Sequence, residues 1–145
     1  MKKYLRLFFI ATVALLFTGC EIEGPEMKSY EIGVETRDWL TYNEGGVRYQ
    51  YTDLSFPEID SYMMEEGLVE VSLIAVNGGR EVQHPLPYTF TVIAGDRLEP
   101  YTVTETIRYE VSRGLLTLVI EYGDGEVYPD ALLPYTFRVT TIDKY

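Results

Sequence analysis

The chain has 145 residues, with 23 acidic against 12 basic side chains, a formal net charge of −11 and a single cysteine. So acidic a surface repels nucleic-acid phosphates and anionic lipid head groups, and one cysteine excludes a disulfide framework or a thiolate metal cage. With 46% hydrophobic residues the chain is long enough, and apolar enough, to build one core without such staples.

The N-terminus begins with Lys2, Lys3 and Arg6, followed by an apolar run from Leu7 to Phe17. A run of about a dozen residues is too short for a spanning helix, which needs roughly 20, and its basic flank matches a secretory signal. The run closes on Phe17-Thr18-Gly19-Cys20. That pattern resembles the lipobox of bacterial lipoproteins, with Phe17 where Leu is more usual, a substitution that lipoproteins of the Bacteroidota tolerate. The resemblance implies cleavage before Cys20, a thioether diacylglycerol on its sulfur and an acylated amino group, hence stable membrane anchoring through several acyl chains. The alternative is a free thiol on an uncleaved hydrophobic helix. The expected organisation is a signal peptide over 1–19, a lipidated cysteine and flexible tether over 20–29, and one domain over 30–145. All 23 acidic residues follow Gly19 and three of the basic ones precede it, so cleavage leaves 9 basic against 23 acidic side chains, a net charge of −14. Glu21, Glu23 and Glu26 crowd behind the cysteine. They loosely resemble the acidic signal that sends many Bacteroidota lipoproteins to the cell surface, which implies an outer-membrane, surface-facing location; a plain solvated linker reads the same residues equally well.

From Tyr30 onward the pattern is that of strands. Tyr30 to Thr36 alternates, with Ile32 and Val34 on one face. Trp39 to Tyr42 and Val47 to Thr52 flank Asn43-Glu44-Gly45-Gly46, a loop of hairpin type. Ser61 to Gly67 is expected to form a single helical turn closed by its glycine. Leu68 to Val76 is apolar on both faces except at Glu70 and Ser72, which predicts an interior strand, and Asn77-Gly78-Gly79 turns the chain into the next one. Pro85-Leu86-Pro87 opens a strand over Tyr88 to Ile93. Tyr101 to Ser112 puts Tyr101, Val103, Ile107, Tyr109 and Val111 on one face and Thr102, Thr104, Thr106, Arg108, Glu110 and Ser112 on the other. Leu115 to Tyr122 pairs back with Leu116, Leu118, Ile120 and Tyr122 inward, and Tyr135 to Ile142 is the last strand. Eight or nine short strands with no long helical period predict an all-β antiparallel β-sandwich, with a small closed barrel as the alternative.

Leu86-Pro87-Tyr88-Thr89-Phe90-Thr91-Val92 recurs as Leu133-Pro134-Tyr135-Thr136-Phe137-Arg138-Val139. The echo reads either as a duplicated half-sandwich or as convergence on a good strand opening; the flanks do not align, which favours convergence. Pro57-Glu58-Ile59-Asp60, Gly67-Leu68-Val69-Glu70-Val71, Leu86-Pro87-Tyr88-Thr89, Gly114-Leu115-Leu116 and Phe137-Arg138-Val139 together resemble the framework of a family of small Bacteroidota lipoproteins, some with a collagen-like stretch before the domain. Members often carry Trp a little before Leu-Pro, where this chain has Gln83-His84-Pro85. The resemblance implies an envelope β-domain and no particular activity.

No catalytic constellation emerges, so the chain reads as non-enzymatic and without a cofactor or metal. His84 is the only histidine and lacks the companions a metal site requires. The acidic pairs Glu58 with Asp60, Glu65 with Glu66, and Asp124 with Glu126 and Asp130 could in principle support glycoside hydrolysis, and Asp124-Gly125-Glu126 could present oxygens to calcium; solvated carboxylates and an ordinary turn explain them better. Tyrosine is abundant, at 13 residues. Tyr49 and Tyr51 share one strand face, and with Trp39 and Tyr42 they form the candidate ligand-binding surface, because aromatic faces stack on sugars and anchor protein partners. The expected role is a membrane-anchored binding module for a glycan or an envelope or host protein; the alternative is a structural or accessory subunit of an envelope complex.

Overall fold

The computed structural model describes residues 24–95 and 98–144. The expected signal segment, Cys20 and the first residues of the tether lie outside them. The described chain is a sandwich of two antiparallel sheets, one in the order β1-β9-β4-β5 and the other in the order β2-β3-β8-β7-β6. The strands are β1 (Met27–Val34), β2 (Leu40–Glu44), β3 (Val47–Ser55), β4 (Leu68–Asn77), β5 (Arg80–Pro85), β6 (Tyr88–Ala94), β7 (Tyr101–Ser112), β8 (Leu115–Tyr122) and β9 (Tyr135–Ile142). The all-β sandwich expected from strand spacing is the fold observed, and the two open, separately ordered sheets replace the barrel alternative.

Local chemistry explains the hairpins. Gly45 and Gly46 both have positive φ (62° and 81°), as do Gly78 and Gly79 (58° and 79°), the conformation a two-residue type I′ turn demands. These turns fix the registers Glu44↔Val47 and Asn77↔Arg80. Helix α1 (Ser61–Glu66) is the single turn expected, capped by Asp60, whose Oδ1 accepts the Met63 amide at 2.8 Å. Replacing Asp60 by Ala is expected to lower stability by about 1 kcal/mol, read as a lower urea midpoint at unchanged slope.

The chain passes repeatedly between the sheets, and the connections carry apolar plugs. Trp39 sits between β1 and β2, Phe56, Ile59 and Met63 between β3 and β4, Leu86 between β5 and β6, and Leu132 between β8 and β9, all buried. They close the ends of a core whose centre is Ile107, Leu116, Leu118, Ile120, Phe137 and Val139, each fully buried. The inward set of β8 is the one the alternation predicts, and β4 lies between β9 and β5, as its two apolar faces require. The echoed segments occupy non-equivalent places: β9 is interior to the four-stranded sheet, whereas β6 is the edge of the five-stranded one. That arrangement fits convergence and not a duplicated half-sandwich.

One inward position breaks the apolar pattern. Glu105 stands between Val103 and Ile107 on the core face of β7 and is fully buried. Its Oε1 accepts the Tyr135 hydroxyl at 2.7 Å, and the Tyr122 hydroxyl beside it donates to the buried Gln50 at 3.3 Å. Burial raises the Glu105 carboxyl above its ordinary value, opposed in part by Tyr135 and Tyr122.

Candidate functional site

The outward face of the five-stranded sheet is built from the alternate residues that the core rejects. On β3, Gln50 and Thr52 are buried, so Tyr49, Tyr51 and Asp53 point outward. On β2, Tyr42 lies directly opposite Tyr49 and Leu40 opposite Tyr51. The Tyr42 and Tyr49 rings stack with centroids 4.7 Å apart and planes 14° from parallel, and Tyr51 meets Tyr49 edge-on at 6.0 Å. The three tyrosines therefore form one contiguous aromatic cluster on an open sheet face, half-buried by each other and by their neighbours. Partial burial, with Tyr42 and Glu110 adding to it, holds the Tyr49 hydroxyl above its usual value, so the cluster is neutral at any physiological pH.

Trp39 does not join them. It is 7% exposed, packed edge-on against Tyr135 at 6.4 Å on the core side. The reason is strand geometry: residues 39 and 42 are an odd number apart on an extended chain, so they face opposite sides. The expected four-residue surface is thus a three-residue one, and Trp39 belongs to the packing that closes the sandwich.

The polar flank of the cluster comes from β7 and β8. Arg108 is opposite Val119, which is opposite Tyr51. Its guanidinium donates to Glu121 Oε1 from Nε at 3.1 Å and from the terminal nitrogen at 2.9 Å, and also contacts Glu110. Glu121, above all, keeps Arg108 protonated. Beyond this triad the Thr117 hydroxyl donates to Asp53 at 2.6 Å, and the Thr89 and Thr106 hydroxyls bond to each other at 2.8 Å. Alternation placed Arg108 and Glu110 outward, but nothing in the sequence tied Glu121 to them; that needed the β7–β8 register. Val119 is buried beneath this layer although it lies on the outward side.

The other sequence candidates fall elsewhere. His84 is half-buried and stacks on Tyr88 at 4.1 Å. Glu58, Asp60, Glu65, Glu66, Asp124, Glu126 and Asp130 are all exposed. Asp60 is spent on the α1 cap, Glu66 pairs with Lys144 at 3.0 Å, and Glu126 pairs with Arg48. Asp124 accepts the Glu126 amide at 3.1 Å and the Tyr128 hydroxyl, which pull its carboxyl below the usual range and mark the segment as a turn held by its own side chains. Among the described residues no group of three or more His, Cys, Asp or Glu side chains gathers where it could hold a metal ion. Among them, too, no helix is long and apolar enough to cross a membrane.

Comparison of the chain with protein-family models, with curated proteins and with solved structures finds no match.

Proposed function

We propose that the protein is an envelope lipoprotein, anchored through Cys20, whose sandwich displays the Tyr42–Tyr49–Tyr51 face as a non-catalytic binding surface for glycans. The observation that carries this reading is the placement of three mutually packed tyrosines on the outward face of an open sheet. Rings exposed there contribute nothing to the core of the sandwich, while their C–H-accepting faces suit the apolar side of a sugar. The Arg108–Glu121–Glu110 triad and the Asp53–Thr117 pair supply fixed donors and acceptors around the rings, the combination of apolar platform and few oriented polar groups that a carbohydrate requires. Anchoring at Cys20 would hold this face at the membrane surface through the tether, which suits an extended ligand outside the cell.

The test is retardation of the purified protein in native gels containing soluble polysaccharides. Wild type is expected to be slowed by at least one polysaccharide, and Tyr49→Ala, which removes the ring shared by both contacts, to weaken that binding by about tenfold, the 1.4 kcal/mol of a lost stacking partner. The thermal midpoint of the variant should barely move, because Tyr49 faces away from the core. A variant that loses binding only because it unfolds, or a wild type that no polysaccharide retards, would remove the glycan reading.

A further inference from the structure

Each sheet has two edges, and three of the four are blunted. β1 carries Lys28 and Glu31, β5 carries Arg80 and Glu81 and ends on Pro85, and β2 has only five residues and ends on Glu44. Charge, proline and shortness are the devices that keep an edge strand from pairing with another chain. β6, Tyr88-Thr89-Phe90-Thr91-Val92-Ile93-Ala94, has none of them: seven residues, no charge, no proline, and aromatic or β-branched at nearly every position. It pairs with β7 on one side and ends the sheet on the other.

Two further observations bear on this edge. The same Pro-Tyr-Thr-Phe-x-Val opening, as β9, is paired on both sides, by β1 and by β4. The chain thus uses this sequence once as a doubly flanked strand and once with a flank open. The surface around β6 is also unusually apolar for so acidic a protein. Ile93 is 72% exposed, and Val76 and Leu133, 75% and 55% exposed, rim a groove of about 390 Å³ whose walls include Tyr88 and Phe90. Exposed apolar side chains gathered beside an unprotected edge mark an interaction site.

We propose that β6 pairs antiparallel with β6 of a second copy of this chain, about a two-fold axis through Thr91, joining two five-stranded sheets into one continuous sheet. The strand is self-complementary in that register. Tyr88 lies opposite the partner's Ala94, Phe90 opposite the partner's Val92, and Thr91 opposite the partner's Thr91, so large side chains meet small ones and the outward threonine row continues across the axis. Charge selects the same occupant. Two copies that each carry a net charge of −14 after cleavage repel over most of their surfaces, and a strand without charge is where they can approach. An isologous pair of this kind has its axis normal to the sheet, so both tyrosine clusters face the same way and a repeating ligand would meet two sites at once.

The experiment is sedimentation velocity of the full-length chain in a mild detergent across a concentration series. Wild type is expected to sediment as two copies. Thr91→Lys sets two ammonium groups against each other on the axis and should sediment as one copy with an unchanged circular-dichroism spectrum, whereas Thr140→Lys, on the outward side of β9, should remain paired. In a second arm, Thr91→Cys is oxidised in membranes, where facing positions on paired strands lie within disulfide reach; a covalent dimer absent from wild type is expected. This arm decides the matter should Thr91→Lys fail to fold. A wild type that stays monomeric throughout, or a dimer that survives Thr91→Lys while Thr91→Cys gives no cross-link, would overturn the proposal.

Discussion

Phe137→Ala is expected to cost about 3–5 kcal/mol, the range for removing a fully buried phenylalanine and leaving a cavity, while Phe90→Ala costs only about 1–2 kcal/mol. The two residues occupy the same position of the repeated Leu-Pro-Tyr-Thr-Phe segment, so local sequence is held nearly constant and the difference isolates tertiary placement. Phe137 is wholly buried on β9, flanked by two strands and packed against Tyr135 with ring centroids 6.1 Å apart. Phe90 is half-buried on the sheet edge, its ring resting on Tyr88 at 5.5 Å beside the open groove. A loss of that size at Phe137 is a large part of the 5–15 kcal/mol that holds an ordinary domain together. Equilibrium urea unfolding of the two variants measures both. Equal losses would mean that β6 is as enclosed as β9, which would contradict its place at the edge.

The same pair shows what a sequence of this kind makes legible. Strand existence, hairpin turns and the inward set of β8 follow from a period of two and from paired glycines, because both are local. The bounds of β7 and β9 are those the pattern predicts. Placement within a sheet is not local: the two Tyr-Thr-Phe strands read alike, and only long-range pairing makes one interior and the other an edge. The candidate site divides along the same line. Tyr49 and Tyr51 are two apart on one strand, and their shared face was readable. Trp39 was grouped with them for its ring, although its odd separation from Tyr42 already set it on the other face. Glu121 joined Arg108 only through register, and Glu105 has no local signal, since a carboxylate amid alternating Thr, Arg and Glu looks like one more solvent-facing residue.

Glu105→Gln is expected to raise stability at neutral pH by about 1–3 kcal/mol, the cost of a buried polar group lacking a partner, and to leave it nearly unchanged near pH 4. Glu105 is fully buried, its Oε1 accepts from Tyr135, and Oε2 has no hydrogen-bond partner among the described residues. Burial lifts its pKa above the ordinary 4.5. Between the unfolded value and the raised folded one, the native state holds a proton that the unfolded chain has released, so stability falls as pH rises through that window. Below it both states are protonated and the group costs nothing. Gln keeps the carbonyl that accepts from Tyr135 and cannot ionise, so the urea midpoints of wild type and variant should diverge as pH climbs from about 4 to about 8. Glu105→Ala is the contrasting variant: it leaves the Tyr135 hydroxyl without its acceptor and opens a cavity, and should destabilise at every pH. A constant offset between Glu105→Gln and wild type across the range would show that the carboxylate is ionised at no net cost. The core of this sandwich would then tolerate a charge that its apolar walls, Val103, Ile107 and Phe137, give it no means to solvate.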